Sequence, residues 1–324
     1  MTVLITGGAG FIGSHLAENL VAEGYRVICI DDFNDYYDPR IKWENIAGLQ
    51  ARPEFRLVKG DITNKETLEE LFSAWNIDQV VHLAARAGVR PSLRQPALYE
   101  KVNVGGTINL LEQCVRHQVK KFIFGSSSSV YGEQDKIPFS EEDRIERPIS
   151  PYAATKRAAE LICYTYHHLY QLPVICLRFF TVYGPRQRPE MAIHKFTSLI
   201  YQRQPIPLYG DGSSSRDYTF ISDIVSGLRA AMDRNFGYEI INLGNSSPIQ
   251  LKELVRLIEE ALGLKARIDF QPPQSGDVTR TYADISKAQK LLGYHPEVPI
   301  EEGVALFVDW FKRNRPCPAA HHVA

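Results

Sequence analysis

No run of about 18 consecutive apolar residues occurs in the sequence, and no charged-then-apolar leader follows Met1, so neither a membrane span nor a signal peptide is expected. An excess of either charge is also missing. The 37 Lys and Arg against 38 Asp and Glu leave a net charge of -1, without the basic surplus that a nucleic-acid partner would demand. Cysteine is scarce. The five, Cys29, Cys114, Cys163, Cys176 and Cys317, are scattered, odd in number and without metal-ligand spacing. They read as reduced, cytoplasmic and mostly packed thiols, with no metal centre. What remains is a chain of 324 residues, 44% hydrophobic and 23% charged, enough to build one large domain and a smaller one around a real core.

The N-terminal residues carry the first chemistry. TVLI reads as a short buried strand, Thr6 to Gly13 (TGGAGFIG) as a tight glycine turn, and Ser14 to Glu23 as an amphipathic helix. Gly7 permits the turn, Gly10 lets backbone approach a diphosphate, and Gly13 lets helix and strand pack closely. The turn, with Phe11 and Ile12 in it, leaves the phosphates at the helix N-terminus. A second strand, YRVICI, ends in Asp31 about 20 residues after the glycines. A carboxylate there accepts hydrogen bonds from an adenosine ribose and repels a 2'-phosphate, and Asp32 adds a second negative charge. That argues for NAD rather than NADP.

The second signal is SPYAATK. Tyr152 and Lys156 are spaced i, i+4 and so share a helix face. Ser150 suits an N-cap and Pro151 the first helical position, which places Tyr152 in the first turn, where the macrodipole is positive. An ammonium and a helix N-terminus both favour phenolate, so Tyr152 is expected to be a general base near neutral pH, assisted by Lys156.

Strand-like and helix-like segments alternate through FRLVKGDI, a helix at 65–75, QVVHLAA, a long helix near 97–117, KFIFGSS, the helix carrying Tyr152, and PVICLRFF. Such alternation predicts an α/β doubly wound parallel sheet. Ligands bind beyond the carboxyl ends of its strands, which gathers Gly7, Asp31, Asp61, Ala84, Ser126 and Thr181 on one rim. After about residue 184 the pattern loosens into Pro- and Gly-rich loops, short strands such as IPLYG and DYTFI, and helices near 251–262 and 300–313. The expected division is a cofactor domain at 1–183, with later chain crossings into it, a mainly substrate-binding α/β domain at 184–315, and a tail at 316–324.

Together GGAGFIGSHL, DDFND, GDI, HLAA, SSSSVYG, YAATK, LRFFTVYGPRQRP, RDYTFISD and GDVTRTYADISKA resemble the extended short-chain dehydrogenase/reductases, in particular the nucleotide-sugar epimerases and dehydratases, over Thr2 to about Phe311. The resemblance implies a Rossmann-type fold. It implies that Asp61 and Ile62 hold the adenine edge, that Leu83, Ala84 and Ala85 line the cofactor, and that Lys156 binds the nicotinamide ribose. It also pairs the tyrosine with Ser127, four residues before the tyrosine of VYG. Relatives usually dimerise through the two long helices, so a homodimer is expected.

Reaction type turns on the residues before VYG. Dehydratases and decarboxylases of that family generally carry an acidic residue there, whereas this chain has Ser128 and Ser129. A transient ketone that cannot eliminate water is most simply turned over and reduced on its other face, which is 4-epimerisation of a nucleotide sugar. Thr181 to Met191 and AGVRPS at Ala87 to Ser92 resemble the UDP-glucuronate 4-epimerases. On that likeness Arg188, helped by Thr181 and Ser128, holds the sugar carboxylate through planar charge-assisted bonds. Arg186 is a weaker candidate. Arg90 fits sugar, phosphate or surface; Arg216 and Arg280 resemble diphosphate-binding arginines and Asp277 a uridine ribose contact. UDP-glucose or UDP-N-acetylglucosamine 4-epimerisation, decarboxylation, dehydration and a non-catalytic NAD-binding role stay open at this point.

Overall fold

In the computed structural model, which describes residues 1–272 and 278–314, seven parallel strands form the central sheet. β1 (Thr2–Thr6) is flanked on one side by β2 (Arg26–Asp31) and then β3 (Phe55–Lys59). On its other side come β4 (Gln79–His82), β5 (Lys121–Ser127), β6 (Val174–Phe179) and finally β10 (Tyr238–Leu243), numbered in chain order. Thr2 pairs with Arg26 and Val3 with Gln79, so the chain winds outward in both directions from β1. The reversal opens a crevice above the carboxyl ends of β1 and β4.

The sequence specifies this sheet through two-sided burial. Val3, Ile5, Val27, Cys29, Ile123 and Ile175 belong to one core cluster, while Leu4, Ile28, Ile30, Val80, Phe122 and Val174 belong to another. Successive residues of one strand feed opposite cores, which is the period-2 alternation of a strand covered by helices on both faces. The four described cysteines are free and buried in these cores.

Beyond the sheet, β7 (Thr181–Tyr183), β9 (Ser215–Phe220) and β11 (Pro248–Gln250) form a three-stranded sheet, and β8 (Pro205–Tyr209) pairs with β12 (Arg267–Gln271). β7 starts one residue after β6 ends, so the chain passes directly from the central sheet into the region over its rim. β10 then returns from that region to supply an edge of the central sheet.

The helix Pro151–Tyr170 starts as expected, with the Ser150 side chain accepting from the Ala153 N–H at 3.2 Å and Pro151 in the first turn. It stops at Gln171, which takes the left-handed conformation. The long helix expected near 97–117 is instead broken. Pro96–Glu100 leads into a wide π turn, Lys101–Gly105, before Gly106–Arg116 resumes. Asn103, at the centre of that turn, binds the backbone of Arg86 on both sides and Thr155, so tertiary hydrogen bonds and the Gly105-Gly106 pair override a straight helix. Among the described residues, no helix is long and apolar enough to cross a membrane.

Candidate active site

A cavity of about 370 Å³ lies in the crevice. At one end it is lined by Gly7, Gly10, Phe11, Ile12, Gly13, Asp31, Asp32, Asp61 and Ile62, along its length by Leu83, Ala84 and Ala85, and at the other end by Ser127, Ser128, Tyr152, Lys156, Thr181 and Arg188. Residues taken from eight separate segments of the sequence thus meet in one elongated space.

The glycine end is shaped by backbone. Gly7 has φ +67°, and a Cβ there would fall 2.8 Å from the Ala84 nitrogen; a Cβ on Gly13 would fall 2.3 Å from the Gly7 oxygen. Side chains at these positions would close the approach to the start of the helix Phe11–Ala22, where unpaired N–H groups attract phosphate. Asp31 caps this end, accepting from the N–H groups of Ala9 and Phe33. Sequence reasoning missed its partner: buried Lys42 reaches Asp31 at 2.9 Å and Asp32 at 3.6 Å. The only sequence signal was a lysine on the inner face of the helix Pro39–Ile46.

The middle of the cavity wall hangs on a hydrogen-bond chain whose proton positions follow from its ends. Thr107 donates to the Asn103 carbonyl at 2.6 Å, so its oxygen accepts from His82 Nε2–H. His82 Nδ1 then accepts from the Thr6 hydroxyl, and the Thr6 oxygen accepts from the Ala84 N–H. Burial holds the His82 imidazole neutral, its pKa pushed down to about 3, which this chain of donors requires. This motif histidine is therefore a strut behind Ala84 and not a proton carrier.

Ser127 ends β5, where its oxygen accepts from the Ser129 N–H at 3.2 Å. Lys156 Nζ donates to the Gly125 carbonyl at 2.6 Å and lies 4.8 Å from the Phe124 ring centre. The electrostatics correct one expectation. Burial raises the Tyr152 phenol above its ordinary 10, opposed by a hydrogen bond from Ser127 and by the positive charge of Arg188. The Lys156 ammonium is directed at the Gly125 carbonyl. Burial also lowers Lys156 itself to about 8, with Glu160, one turn further along the helix, acting to keep it charged.

The sugar-side wall is assembled from distant segments. Gln187, buried, donates to the Val182 carbonyl, and the Met191 N–H donates to the Arg188 carbonyl, closing the turn that carries Arg188. The loop is also pinned to the helix Phe11–Ala22 by Arg186 to Glu18 at 2.7 Å and by His15 donating to the Pro185 carbonyl. Arg186 therefore faces that helix rather than the cavity. Tyr36, Tyr37 and Arg86 line the cavity and were not anticipated; the YY pair in a turn-rich loop was their only trace. Arg90 stands outside the lining, its guanidinium 4.6 Å from the Tyr209 ring centre. Arg216 donates to the carbonyls of Ser215, Val278 and Thr279, and the Arg280 backbone pairs with Ser215, so these two neighbour one another and are not part of the cavity wall. Asp277 lies outside the described residues.

A glycine-lined phosphate approach, an acidic ribose end and a Ser-Tyr-Lys group across one elongated cavity fit a dinucleotide with a sugar nucleotide beside it. The profile of the GDP-mannose 4,6 dehydratase family matches residues 4–307. The chain belongs to this family. Within it, the chain is 46% identical over 312 residues, 96% of each protein, to UDP-glucuronate 4-epimerase of Thermodesulfobacterium geofontis. Among solved structures it resembles UDP-glucuronic acid 4-epimerase of Bacillus cereus in complex with UDP-glucuronic acid and NAD. That pair is 38% identical with a TM-score of 0.91, over 97% of this chain and 99% of the other. It also resembles UDP-glucose 4-epimerase of Thermotoga maritima with UDP-glucose, at 35% identity and a TM-score of 0.89, again over 97% and 99%.

Proposed function

We propose that the chain is an NAD-dependent 4-epimerase of UDP-sugars whose preferred substrate is UDP-glucuronate, converted to UDP-galacturonate. One observation carries the choice of reaction. The acidic residues that line the described cavity, Asp31, Asp32 and Asp61, all belong to its glycine end, while Ser127, Ser128 and Ser129 stand beside Tyr152. Elimination needs an acid at the sugar, and that position holds hydroxyls.

Bound NAD would supply reversible hydride acceptance for sugar C4. Gly7, Gly10 and Gly13 would admit its diphosphate, Asp31 and Asp32 its adenosine ribose, Asp61 and Ile62 its adenine edge, and Lys156 its nicotinamide ribose. Tyr152, in the ionised form that Ser127 and Arg188 favour, takes the C4 hydroxyl proton and gives it back after the ring has turned over, with Ser127 sharing that proton. Arg188, with Thr181 and Ser128, binds the sugar carboxylate.

Oxidation at C4 makes a β-keto acid, which loses carbon dioxide when the carboxylate bond aligns with the carbonyl π system. Arg188 holds the carboxylate out of that alignment. Residues 1–183 serve mainly the cofactor and 184–315 mainly the sugar nucleotide, with Arg216 and Arg280 as diphosphate contacts, Asp277 as a ribose contact and Arg90 in a supporting role. We also assign a homodimer joined along the helix Pro151–Tyr170, where Leu161, Tyr164, Leu169 and Tyr170 are each about half exposed; light scattering that returned a monomer mass would remove this part. Incubating the protein with UDP-glucuronate and UDP-glucose separately, without added reductant, tests the whole reading. UDP-galacturonate is expected from the first, faster than UDP-galactose from the second. A faster neutral hexose would shift the assignment to a UDP-glucose 4-epimerase.

A further inference from the structure

Arg188 reaches the cavity already holding a carboxylate. Its Nη1 lies 3.2 Å from Oε1 of Glu190, two residues further along the same turn. Arg188 lines the cavity and is one-fifth exposed, whereas Glu190 stays off the lining and is about two-fifths exposed. That pair is their closest approach, and a guanidinium presents five N–H donors in a plane. The guanidinium carbon also lies 5.7 Å from the Tyr36 ring centre, so the cation is bounded by an aromatic face as well as by an acid.

The charge of Glu190 extends into the cavity. Burial pushes the Tyr36 and Tyr37 phenols up and Arg188 pulls both down; Glu190 raises both, at Tyr37 behind Asp31. A cation on a largely apolar and aromatic wall is costly without a partner, and Glu190 supplies that partner from the solvent side. A uronate arriving at Arg188 brings a second anion to the same guanidinium. A neutral hexose brings none.

We propose that Glu190 is a resident competitor for Arg188, compensating the guanidinium between turnovers and opposing the sugar carboxylate during them, so that it limits how tightly uronates are held and speeds their release. This rests on reading Arg188 as the uronate-binding residue. Glu190 is a positioning and specificity residue: it touches Arg188, not the reacting atoms.

The test is calorimetric binding of UDP-glucuronate, UDP-glucose and UDP to the full chain and to its Glu190→Gln, Arg188→Ala and doubly substituted variants, with kcat and KM measured in parallel. Glu190→Gln keeps the shape and removes the charge. It should tighten UDP-glucuronate roughly three- to ten-fold and lower kcat with KM, while UDP-glucose and UDP change less than about two-fold. In the Arg188→Ala background the gain should vanish. Weaker or unchanged uronate binding in Glu190→Gln, or equal tightening of UDP-glucose, would overturn the inference while leaving epimerisation intact. If Arg188→Ala binds UDP-glucuronate as well as the unsubstituted chain does, the assignment of Arg188 itself falls and Glu190 with it.

Discussion

The two ends of the cavity are built on different principles. The cofactor end is shaped mainly by backbone, with glycines at Gly7 and Gly13 and N–H groups at a helix start, and its charged partner, Lys42, is buried against Asp31. The sugar end is side chains: Arg188, Tyr36, Tyr37 and Thr181, brought from two loops and the start of β7, with Arg188 paired to Glu190. The first suits a cofactor that is retained. The second can exchange partners, which suits substrates that come and go.

Between the two ends lies the reacting group, and removing it should have the largest effect. Tyr152→Phe is expected to lower kcat about 10²- to 10⁴-fold, measured by product formation at saturating UDP-glucuronate. At the cofactor end, Gly13→Ala would press a Cβ to 2.3 Å from the Gly7 oxygen. A loss of NAD retention on gel filtration is expected, with destabilisation on the order of 1–3 kcal/mol. At the sugar end, Arg188→Ala should leave NAD retention alone. It should lower kcat/KM for UDP-glucuronate about 10- to 100-fold, spare UDP-glucose, and release some decarboxylated pentose product. Equal losses on both sugars, or clean epimerisation of the uronate, would erase the proposed contrast.

A smaller effect tests the seam where the ends meet. Lowering Lys156 from 10.5 to about 8 corresponds to roughly 3 kcal/mol of unfavourable burial below pH 8, where folded and unfolded chains are both protonated there. Between pH 8 and 10.5 the unfolded chain binds more protons, so that cost fades as pH rises. Lys156→Met should therefore raise the Tm of the NAD-free protein at pH 7, less the loss of its bond to Gly125, and the gain should shrink across that window. The gentlest probe is spectroscopic. Because burial raises Tyr152 above 10, the NAD-free protein should show no tyrosinate absorbance below pH 10 that Tyr152→Phe abolishes.

The same contrast explains what was legible in the sequence. The cofactor end is local: Gly7 to Gly13 and Asp31 sit on consecutive strand-turn units, so periodicity and glycine spacing reveal them. The capped start at Ser150 and Pro151 was equally readable, because one hydrogen bond to Ala153 decides it. Lys42, Asn103 and Glu190 were not. Each acts through a partner that only folding supplies, Asp31 for the lysine, Arg86 and Thr155 for the asparagine, and a cavity-facing Arg188 for the glutamate. The direction of the Tyr152 pKa was misjudged because burial, which spacing does not reveal, raises it. Spacing put Lys156 on the right face, but not the carbonyl of Gly125 in front of its ammonium.

The central claim is that the hydride removed from C4 returns to the same carbon without leaving the protein. Incubating the protein with UDP-glucuronate deuterated at C4, in ordinary water and without added reductant, tests it most directly by mass spectrometry of the product. UDP-galacturonate that keeps its deuterium is the expected result. Deuterium lost to solvent, or no galacturonate at all, would contradict the account.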